Sequence, residues 1–339
     1  MSSLGSAPIP ATPLPGVSYV MPVLNEVTHI RAAVASLLEQ DYAGPMEVTL
    51  ALGPSTDGTN ELVAQMCAED PRIHSVDNPA AATPVGMNLA IKASSYPIVI
   101  RVDAHSVLPR DYASIAVETL LRTQADNVGG IMDAQGTTPF EKAVARAYDT
   151  KVGLGGTPFH VGGKEGPVDT VYLGVFNRES LLAVGMFNEE IRRGQDWELN
   201  RRIRDAGGLV WFTPKLKVVY RPRTSVKALV KQMYSTGLWR GELSRRFGSG
   251  LRYFVPPMMV VATALGIITG LLGFTLGWIV PAVYVAFVFV STAVYGRGMG
   301  IRGLGWFPLV LPCIHFAWGV GFIMSYTRLS TNIAGKSGR

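Results

Sequence analysis

Acidic residues are absent from the last quarter of this 339-residue chain. Residues 253–339 contain no Asp or Glu, and no charged residue of either sign lies between Arg252 and Arg297. A helix needs about 20 apolar residues to cross roughly 30 Å of hydrocarbon. Three apolar segments are long enough to do so: 254–274, 276–295 and 304–326. Helices of this length in globular proteins normally show a polar face, so a transmembrane region over 251–327 with a tail at 328–339 is expected.

Cysteine is scarce, and the start of the chain lacks a targeting pattern. The two cysteines, Cys67 and Cys313, lie in segments of different character. Neither a disulfide nor a cysteine-based metal site is therefore expected. Residues 1–16 show no basic stretch followed by an apolar core, so they are expected to form a flexible N-terminus rather than a signal peptide.

Positive charge is concentrated beside the apolar segments. Residues 1–214 carry 16 basic and 24 acidic groups, whereas 215–252 carry ten basic groups and one acidic group. Basic side chains next to membrane spans are attracted to the anionic cytoplasmic leaflet and mark the cytoplasmic side. The pattern predicts a multi-pass protein of the inner (plasma) membrane with its preceding domain in the cytoplasm. Membrane lipids, and not nucleic acid, are the expected partner of the basic segment.

The basic segment itself has helical periodicity. Apolar residues recur three and four positions apart among the charged ones: Val226, Leu229, Val230, Met233 and Tyr234. This pattern predicts interfacial amphipathic helices over 225–250, divided near Gly237. An ordinary helix packed against the preceding domain is the alternative.

Residues 17–224 alternate short apolar strands with amphipathic helices. Such alternation is typical of βαβ units on a mostly parallel sheet. Ligands bind at the carboxyl ends of the strands in such sheets, so three loops are expected to converge on one site: 22–26, 53–59 and 103–106. The glycine-rich stretch 128–175 is expected to form loops around an acceptor cleft.

Several polar residues in these loops have both a catalytic and a structural interpretation. Asp103 and His105 could hold one divalent ion if the chain turns after its strand. Asp196 begins a predicted helix, where it could take a proton from a hydroxyl or cap the helix. Glu26 and Asp57 also precede helices and could be caps, and Asn88 could be an ordinary helix residue.

The order of these motifs resembles the family 2 glycosyltransferases, whose nucleotide-diphosphosugar transferase fold is of the GT-A type. The motifs are Val20-Met-Pro-Val-Leu-Asn-Glu26, Ser55-Thr-Asp-Gly-Thr59, Asp103-Ala-His105 and Gln195-Asp196. Within that family the chain is similar to membrane-bound bacterial exopolysaccharide glucosyltransferases of the succinoglycan type. The resemblance implies a cytoplasmic GT-A catalytic domain over 17–224.

The resemblance also implies roles for single residues. Asp196 would be the catalytic base of an inverting transfer, and Asp103 and His105 would hold Mn²⁺ or Mg²⁺. The nucleotide-sugar site would be formed by Pro22, Leu24, Glu26, Asp57, Asn88, Arg101 and Asp103. Further contacts to the diphosphate or the acceptor are expected at Gln195, Trp197, Arg221, Arg223 and Arg240.

The donor implied is a nucleotide-diphosphate sugar, with a UDP-sugar expected first. The acceptor implied is a polyprenyl-linked or other saccharide in cell-surface polysaccharide synthesis. One departure concerns the donor, because the chain has Leu52-Gly53 where the family commonly has two Asp residues. Two alternatives stay open: transfer of a single sugar to polyprenyl phosphate, and a catalytically decayed, membrane-tethered scaffold that binds nucleotide sugars.

Overall fold

The computed structural model describes residues 13–104 and 106–330, so most of the predicted N-terminus, His105 and most of the tail lie outside it. The strands are β1 (Val17–Val23), β2 (Met46–Leu52), β3 (Ile73–Asp77), β4 (Ile98–Arg101), β5 (Asn127–Ala134), β6 (Gly166–Pro167), β7 (Tyr172–Asn177) and β8 (Val210–Tyr220). The helices are α1 (Ile30–Leu38), α2 (Thr59–Glu69), α3 (Thr83–Ala93), α4 (Tyr112–Thr123), α5 (Pro139–Tyr148), α6 (Lys151–Leu154), α7 (Pro158–Val161), α8 (Arg178–Ala183), α9 (Gln195–Asp205), α10 (Val226–Phe247), α11 (Val255–Leu271), α12 (Ile279–Tyr295) and α13 (Gly300–Tyr326).

The eight strands form one mixed sheet in the order β3-β2-β1-β4-β7-β5-β8-β6. β1 pairs in parallel with both β2 and β4, and β5 pairs in parallel with β8. β7 is antiparallel to β4 and β5, and β6 is antiparallel to β8. The predicted α/β class with a mostly parallel sheet is therefore confirmed, and the carboxyl ends of β1, β2, β4, β5 and β8 share one edge.

The sheet is buried on both faces because successive side chains of each strand point to opposite sides. Tyr19 and Met21 of β1 pack with α1, α2 and α4 on one face, and Val20 packs with α3, α8 and α9 on the other. These two apolar layers fix the strand ends, and with them the loops that follow.

The expectation of loops throughout 128–175 is wrong for its first part, where β5 and α5 lie. The glycines of β5 allow close strand contact: a Cβ on Gly130 would lie 2.0 Å from the Leu216 backbone oxygen of β8. The β5–β8 register also shifts between Gly129 and Ile131. Glycine at these positions therefore serves packing at an irregular strand pair.

The predicted division of 225–250 near Gly237 is also wrong, since α10 is a single helix of 22 residues. A Cβ on Gly237 would lie 2.0 Å from the Trp318 backbone oxygen of α13, and one on Gly241 would lie 2.5 Å from that of Phe322. Small residues let two helix backbones approach closely, so one face of α10 is occupied by α13. The packed-helix alternative thus describes this face.

Three helical segments in the described part are long and apolar enough to cross a membrane: Leu251–Leu271, Thr275–Tyr295 and Gly300–Tyr326. They agree with the three segments expected from the sequence, and short 3₁₀ turns precede α11 and α12. The third differs from the others because Phe307, Val310, Leu311 and Ile314 are buried against α5 and α10. α13 is therefore partly a component of the folded domain.

Candidate active site

The loops after β1 and β2 are joined by hydrogen bonds, as expected for neighbouring parallel strands. The Gly53 amide donates to the Val23 carbonyl at 2.8 Å, and the Asn25 amide donates to Ser55 Oγ at 3.0 Å. Asn25 Oδ1 in turn accepts from the Thr56 amide at 2.8 Å. The two predicted loops thus form one surface at the carboxyl edge of the sheet.

Asp57 lies on this surface and is exposed. Its carboxylate accepts from the Thr59 amide at 3.1 Å and from the Val27 amide at 3.2 Å. Hydrogen bonding, chiefly from the Thr59 side chain, holds the pKa of Asp57 below its ordinary value. Gly58, and not Asp57, is the N-cap of α2. Asp57 therefore ties the two loops together as an anion, and its contact to a nucleotide remains a prediction.

The other residues predicted for the nucleotide side line the same loops. Pro22 is buried in β1 opposite Ala51, and Leu24 is half-buried just after the strand. The buried Glu26 donates its amide to Thr59 Oγ1 at 2.8 Å. A Cβ on Gly53 would lie 2.9 Å from Leu24 Cδ1. A carboxylate at position 53 would thus need the Leu24 side chain to move.

Arg101 connects the two carboxylates that the sequence singled out for catalysis. It is the last residue of β4, its side chain is 7% exposed, and it forms ion pairs with Asp196 and, at 3.4 Å, with Asp103. Burial alone would lower the pKa of Arg101, but the two carboxylates raise it above its ordinary value. Arg101 therefore keeps its charge and holds both acids at one place, with their side chains 25% and 28% exposed.

Asp196 reaches this place because Gly194 directs the chain into α9. Gly194 has φ of 75°, a left-handed conformation that glycine adopts without strain, and Gln195 is the first helical residue. The predicted helix start is therefore confirmed. Gly194 is the N-cap residue, so Asp196 occupies the first turn and its carboxylate faces Arg101.

Asn88 has a role in positioning that its sequence context did not indicate. Its amide nitrogen donates to the Phe187 carbonyl at 2.8 Å and to Glu189 Oε1 at 2.9 Å, and its amide oxygen accepts from the Phe187 amide at 2.9 Å. The Phe187 ring lies 5.9 Å from the Arg101 guanidinium carbon. Asn88 therefore fixes the segment that covers Arg101, while a contact to donor remains a prediction.

Residues predicted to touch the diphosphate or acceptor are divided between two surfaces. Gln195 and Trp197 are buried at the start of α9, and the Arg240 guanidinium lies 4.6 Å from the Trp197 ring and 4.4 Å from the Tyr253 ring. Burial lowers the pKa of Arg240, whose Nη1 is buried without a hydrogen-bond partner in the described part. Arg240 thus stabilises aromatic packing beside Asp196.

Arg221 and Arg223 follow β8 at the same edge of the sheet. Arg221 Nη1 donates to the Gln135 carbonyl at 3.3 Å, and Arg223 Nε donates to Gln232 Oε1 at 3.3 Å. Both are exposed, and their contacts to a diphosphate or acceptor remain predictions. Sequence reasoning missed Arg193, which lies near Arg223; its signal is the Arg192-Arg193 pair immediately before α9.

The Ser106 amide donates to the Asp103 carbonyl at 2.9 Å. His105 lies outside the described residues, so joint metal binding by Asp103 and His105 remains a prediction. Among the described residues no three His, Cys, Asp or Glu side chains cluster as a metal site. Mg²⁺ bound with nucleotides often uses only one or two carboxylates plus phosphate oxygens, and the half-buried Asp103 fits that donor set.

The mixed sheet, the joined nucleotide-side loops and the two carboxylates on Arg101 define a GT-A type sugar transferase domain followed by apolar helices. Residues 18–185 match the domain described as glycosyl transferase family 2. The chain is 32% identical to succinoglycan biosynthesis protein ExoA of Rhizobium meliloti (strain 1021) over 89% of its own length and 92% of that protein. The chain therefore belongs to glycosyltransferase family 2 and is a glycosyltransferase enzyme.

Two further proteins are similar to this chain. A dolichyl N-acetyl-alpha-D-glucosaminyl phosphate 3-beta-D-2,3-diacetamido-2,3-dideoxy-beta-D-glucuronosyltransferase of Methanococcus voltae is 25% identical, over 76% of this chain and 83% of that protein. The structure of the mannosyltransferase PcManGT from Pyrobaculum calidifontis in complex with GDP-Man and Mn²⁺ superposes with a TM-score of 0.58, at 20% identity, over 95% of this chain and 90% of that chain. The latter likeness confirms the GT-A fold.

Proposed function

We propose that this enzyme transfers a sugar, with inversion, from a nucleotide-diphosphate sugar to a lipid-linked saccharide in the synthesis of a cell-surface polysaccharide. The observation that carries the proposal is the placement of Asp103 and Asp196 on one buried guanidinium beside the joined nucleotide-side loops. The names of the bacterial and archaeal relatives, a succinoglycan biosynthesis protein and a transferase acting on a dolichyl-linked sugar, support a lipid-linked saccharide as acceptor.

Asp196 is the group suited to act as base in this mechanism. Its carboxylate accepts the proton of the attacking acceptor hydroxyl while the acceptor oxygen bonds to the anomeric carbon. The bond from that carbon to the diphosphate breaks on the opposite side, so the anomeric configuration inverts. Arg101 holds the carboxylate in place and balances its charge before the proton arrives.

A divalent cation fits the Asp103 side of the site. Asp103, with His105 as the second predicted ligand, would hold Mn²⁺ or Mg²⁺ and the cation would neutralise charge on the leaving diphosphate. The mannosyltransferase of similar fold is a complex with Mn²⁺ and GDP-Man. The proposal does not name the nucleotide base of the donor, because Gly53 offers no carboxylate to a uracil.

The base preference can be measured by calorimetry, by comparing the affinities of the full-length enzyme for UDP-, GDP- and dTDP-sugars.

The test of the catalytic assignment is Asp196→Asn. This change keeps the size of the side chain but removes the proton acceptor, so turnover is expected to fall by at least about 10²-fold while donor binding survives. Asp205→Asn is a matched control, since Asp205 is an exposed carboxylate at the other end of α9. Transfer rates from the Asp196 variant that approach those of the control would contradict the role of Asp196 as base.

Product analysis separates this proposal from transfer of one sugar to polyprenyl phosphate. With a radiolabelled donor and native membranes, a lipid-linked oligosaccharide longer than one sugar supports chain extension. A phospholipid that carries a single labelled sugar would establish the alternative. Either product would leave the assignment of Asp196 intact.

The proposed location is the inner membrane, with a two-span hairpin and a third helix lying along the membrane surface. α13 is about 40 Å long at 1.5 Å per residue and contacts the catalytic domain at several points along its length. His315 Nε2, near its middle, lies 2.6 Å from the Val152 carbonyl, and a Cβ on Gly321 would lie 2.2 Å from the Tyr234 carbonyl of α10.

The charges of α10 support this arrangement. α10 lies alongside α13 and carries six charged residues: Lys227, Lys231, Arg240, Glu242, Arg245 and Arg246. An upright α13 would carry these groups into the hydrocarbon, at about 2.5–3.5 kcal/mol for each Lys or Arg near the centre. With α13 on the surface, α11 and α12 form a two-span hairpin, and the basic tail is expected in the cytoplasm with Arg297 and Arg302.

Cysteine labelling tests this topology. In a background with Cys67→Ser and Cys313→Ser, Ser337→Cys in the tail should resist a membrane-impermeant maleimide in intact cells and react after lysis. Thr275→Cys, at the tip of the α11–α12 hairpin, should react in intact cells. Labelling of the tail cysteine from outside would show instead that α13 spans the membrane.

A further inference from the structure

Two arginines beside the proposed site lack carboxylate partners. Arg193 lies just before α9, and Arg223 follows β8. Within the described ranges neither guanidinium is within ion-pair distance of an Asp or Glu, whereas the buried Arg101 of the same site pairs with two carboxylates. Burial and the neighbouring charge of Arg223 lower the pKa of Arg193. Two like charges placed together without an anion are expected where an anionic ligand completes the site.

The groups around this arginine pair are polar and ordered. Gln232 of α10 accepts from Arg223 Nε at 3.3 Å and from the Tyr148 hydroxyl at 3.4 Å, and it donates to the Tyr220 hydroxyl at 2.8 Å. The Tyr148 and Tyr220 rings lie 6.0 Å apart. Donors from three separate elements, α5, β8 and α10, are thus fixed by one network before a ligand arrives. Such preorganisation lowers the entropy cost of binding.

The arginine pair and the nucleotide-side loops lie on opposite sides of the two catalytic carboxylates. β1 and β2, whose loops form the nucleotide side, precede β4 and Asp103 in the sheet order, and β8 with Arg223 lies three strands beyond β4. At about 4.8 Å between strands, this separation is roughly 14 Å. β7, which carries Tyr172, lies between β4 and β5 in this interval.

The arginine pair also lies close to the apolar helices. Tyr148 is almost fully buried, and it belongs to the cluster that joins α5, α10 and α13 through Leu229, Met233 and Phe307. His160 of α7, whose Nδ1 is buried without a hydrogen-bond partner in the described part, has its ring 6.4 Å from that of Tyr148. Arg223 is thus linked, through Gln232 and Tyr148, to the cluster that contains the apolar helix α13.

We propose that Arg193 and Arg223, with Gln232, bind the phosphate of the lipid-linked acceptor and so place its sugar hydroxyl at Asp196. This inference rests on the proposed function and names the part of the acceptor that the enzyme recognises. The diphosphate of the donor is the alternative ligand for this arginine pair, since it carries the same phosphate groups. The sheet order favours the acceptor, because the donor phosphates are expected at Asp103.

The experiment measures binding of two phosphate probes to the full-length enzyme in detergent micelles. Geranylgeranyl diphosphate reports on the acceptor side, with geranylgeraniol as a tail-only comparison, and UDP and GDP with Mn²⁺ report on the donor side. The variants are Arg193→Gln, Arg223→Gln and the double change, with Arg193→Lys and Arg223→Lys to retain charge. Arg192→Gln is the matched control. Arg192 is exposed, and its replacement removes one positive charge at the position next to Arg193.

The double variant is expected to bind geranylgeranyl diphosphate at least about tenfold more weakly, since charged hydrogen bonds to phosphate are lost. Its affinity for nucleoside diphosphate should stay within about twofold, and the control should match the wild type. Lysine variants should lose less than glutamine variants. Geranylgeraniol should bind all variants alike, and equal thermal unfolding midpoints would exclude misfolding.

Unchanged affinity of the double variant for geranylgeranyl diphosphate would overturn the inference. Loss of nucleoside diphosphate binding in its place would assign the arginine pair to the donor and overturn it equally. Failure of the proposed function would look different: the wild-type enzyme would bind neither nucleotide and would form no labelled product. The prenyl probe would still report on the arginine pair in that case.

Discussion

The distribution of charge differs between two regions of this enzyme, the proposed nucleotide side, formed by the loops after β1, β2 and β4, and the proposed membrane side, formed by α5, α7, α10, α13 and the residues around Arg193 and Arg223. On the nucleotide side, Asp57 is satisfied by backbone amides, and Asp103 and Asp196 share Arg101. On the membrane side, Arg193 and Arg223 have no carboxylate partner in the described part of the chain. The anions of the first side therefore have fixed hydrogen-bond donors or a shared guanidinium, whereas the cations of the second side have no carboxylate partner among the described residues.

The two sides also differ in how they are held. Short loops after parallel strands position the nucleotide side, and a network of hydrogen bonds fixes them. Helix packing positions the membrane side, because α10 contacts α13 through Gly237 and Gly241. The proposed roles of the two sides, catalysis and acceptor placement, should therefore be separable by mutation.

The largest expected effect comes from Arg101→Ala, at the meeting point of the two sides. Without the guanidinium, Asp103 and Asp196 lose their common partner, so turnover should fall about 100-fold or more. Arg101→Lys keeps the charge and should lose less, although lysine cannot reach both acids in a planar geometry. Steady-state transfer rates measure the effect, with thermal unfolding as a check on folding.

A normal turnover number for the Arg101→Ala enzyme would show that catalysis does not depend on the pairing of Asp103 and Asp196 with Arg101. Arg101 would then not be a catalytic centre shared by the nucleotide side and the membrane side. Arg31→Gln is the appropriate control, since Arg31 is an exposed arginine paired with Glu69 away from the site. That variant should transfer sugar at the wild-type rate.

Most of the nucleotide side could be predicted from the sequence. Strand and helix periodicities locate β1, β2 and β4, and the position of a loop after a parallel strand is enough to place Asp57 and Asp103 at one edge. Asp196 could be placed because Gly194 and the apolar stripe of α9 mark a helix start. The sequence did not indicate that Arg101 forms ion pairs with both Asp103 and Asp196, because this contact depends on how α9 packs against the end of β4.

The membrane side was less predictable because its contacts join distant segments. The glycines of β5 resemble loop residues in sequence, yet Gly130 is required by the close approach of Leu216. Gly237 likewise suggests a break, although it lies in a continuous helix against Trp318. The Arg192-Arg193 pair is the only local signal for Arg193, and the fold brings Arg193 beside Arg223, 30 residues further along the chain.

A second, smaller effect is expected from Gly237→Leu, which should disrupt the membrane side alone. The added side chain cannot fit 2.0 Å from the Trp318 carbonyl, so α10 and α13 must separate at a cost of about 1–3 kcal/mol or more. Thermal unfolding of the full-length protein in detergent should begin at a lower temperature, and lipid-linked product should decrease.

Gly305→Leu is the matched control for this change, because a Cβ at Gly305 of α13 meets no atom within 4 Å. It should unfold like the wild type. If Gly237→Leu also unfolds like the wild type, the close contact between α10 and α13 is not a determinant of stability. The contrast between hydrogen-bonded loops and packed helices would then need revision.

The smallest expected effect is a pH dependence of stability on the membrane side. Burial lowers the pKa of His160 to about 4, from an ordinary value of about 6.5. The unfolded chain therefore binds a proton before the folded one does, and stability present above about pH 6.5 is lost as pH falls toward 4. His160→Phe removes this difference in pKa and should reduce the fall in the unfolding midpoint between pH 7 and pH 5.

His29→Gln is the control, because His29 is an exposed histidine near the loop after β1, and this change should leave the pH dependence of the midpoint unchanged. Equal pH dependences in the wild type and both variants would show that His160 is not the group responsible.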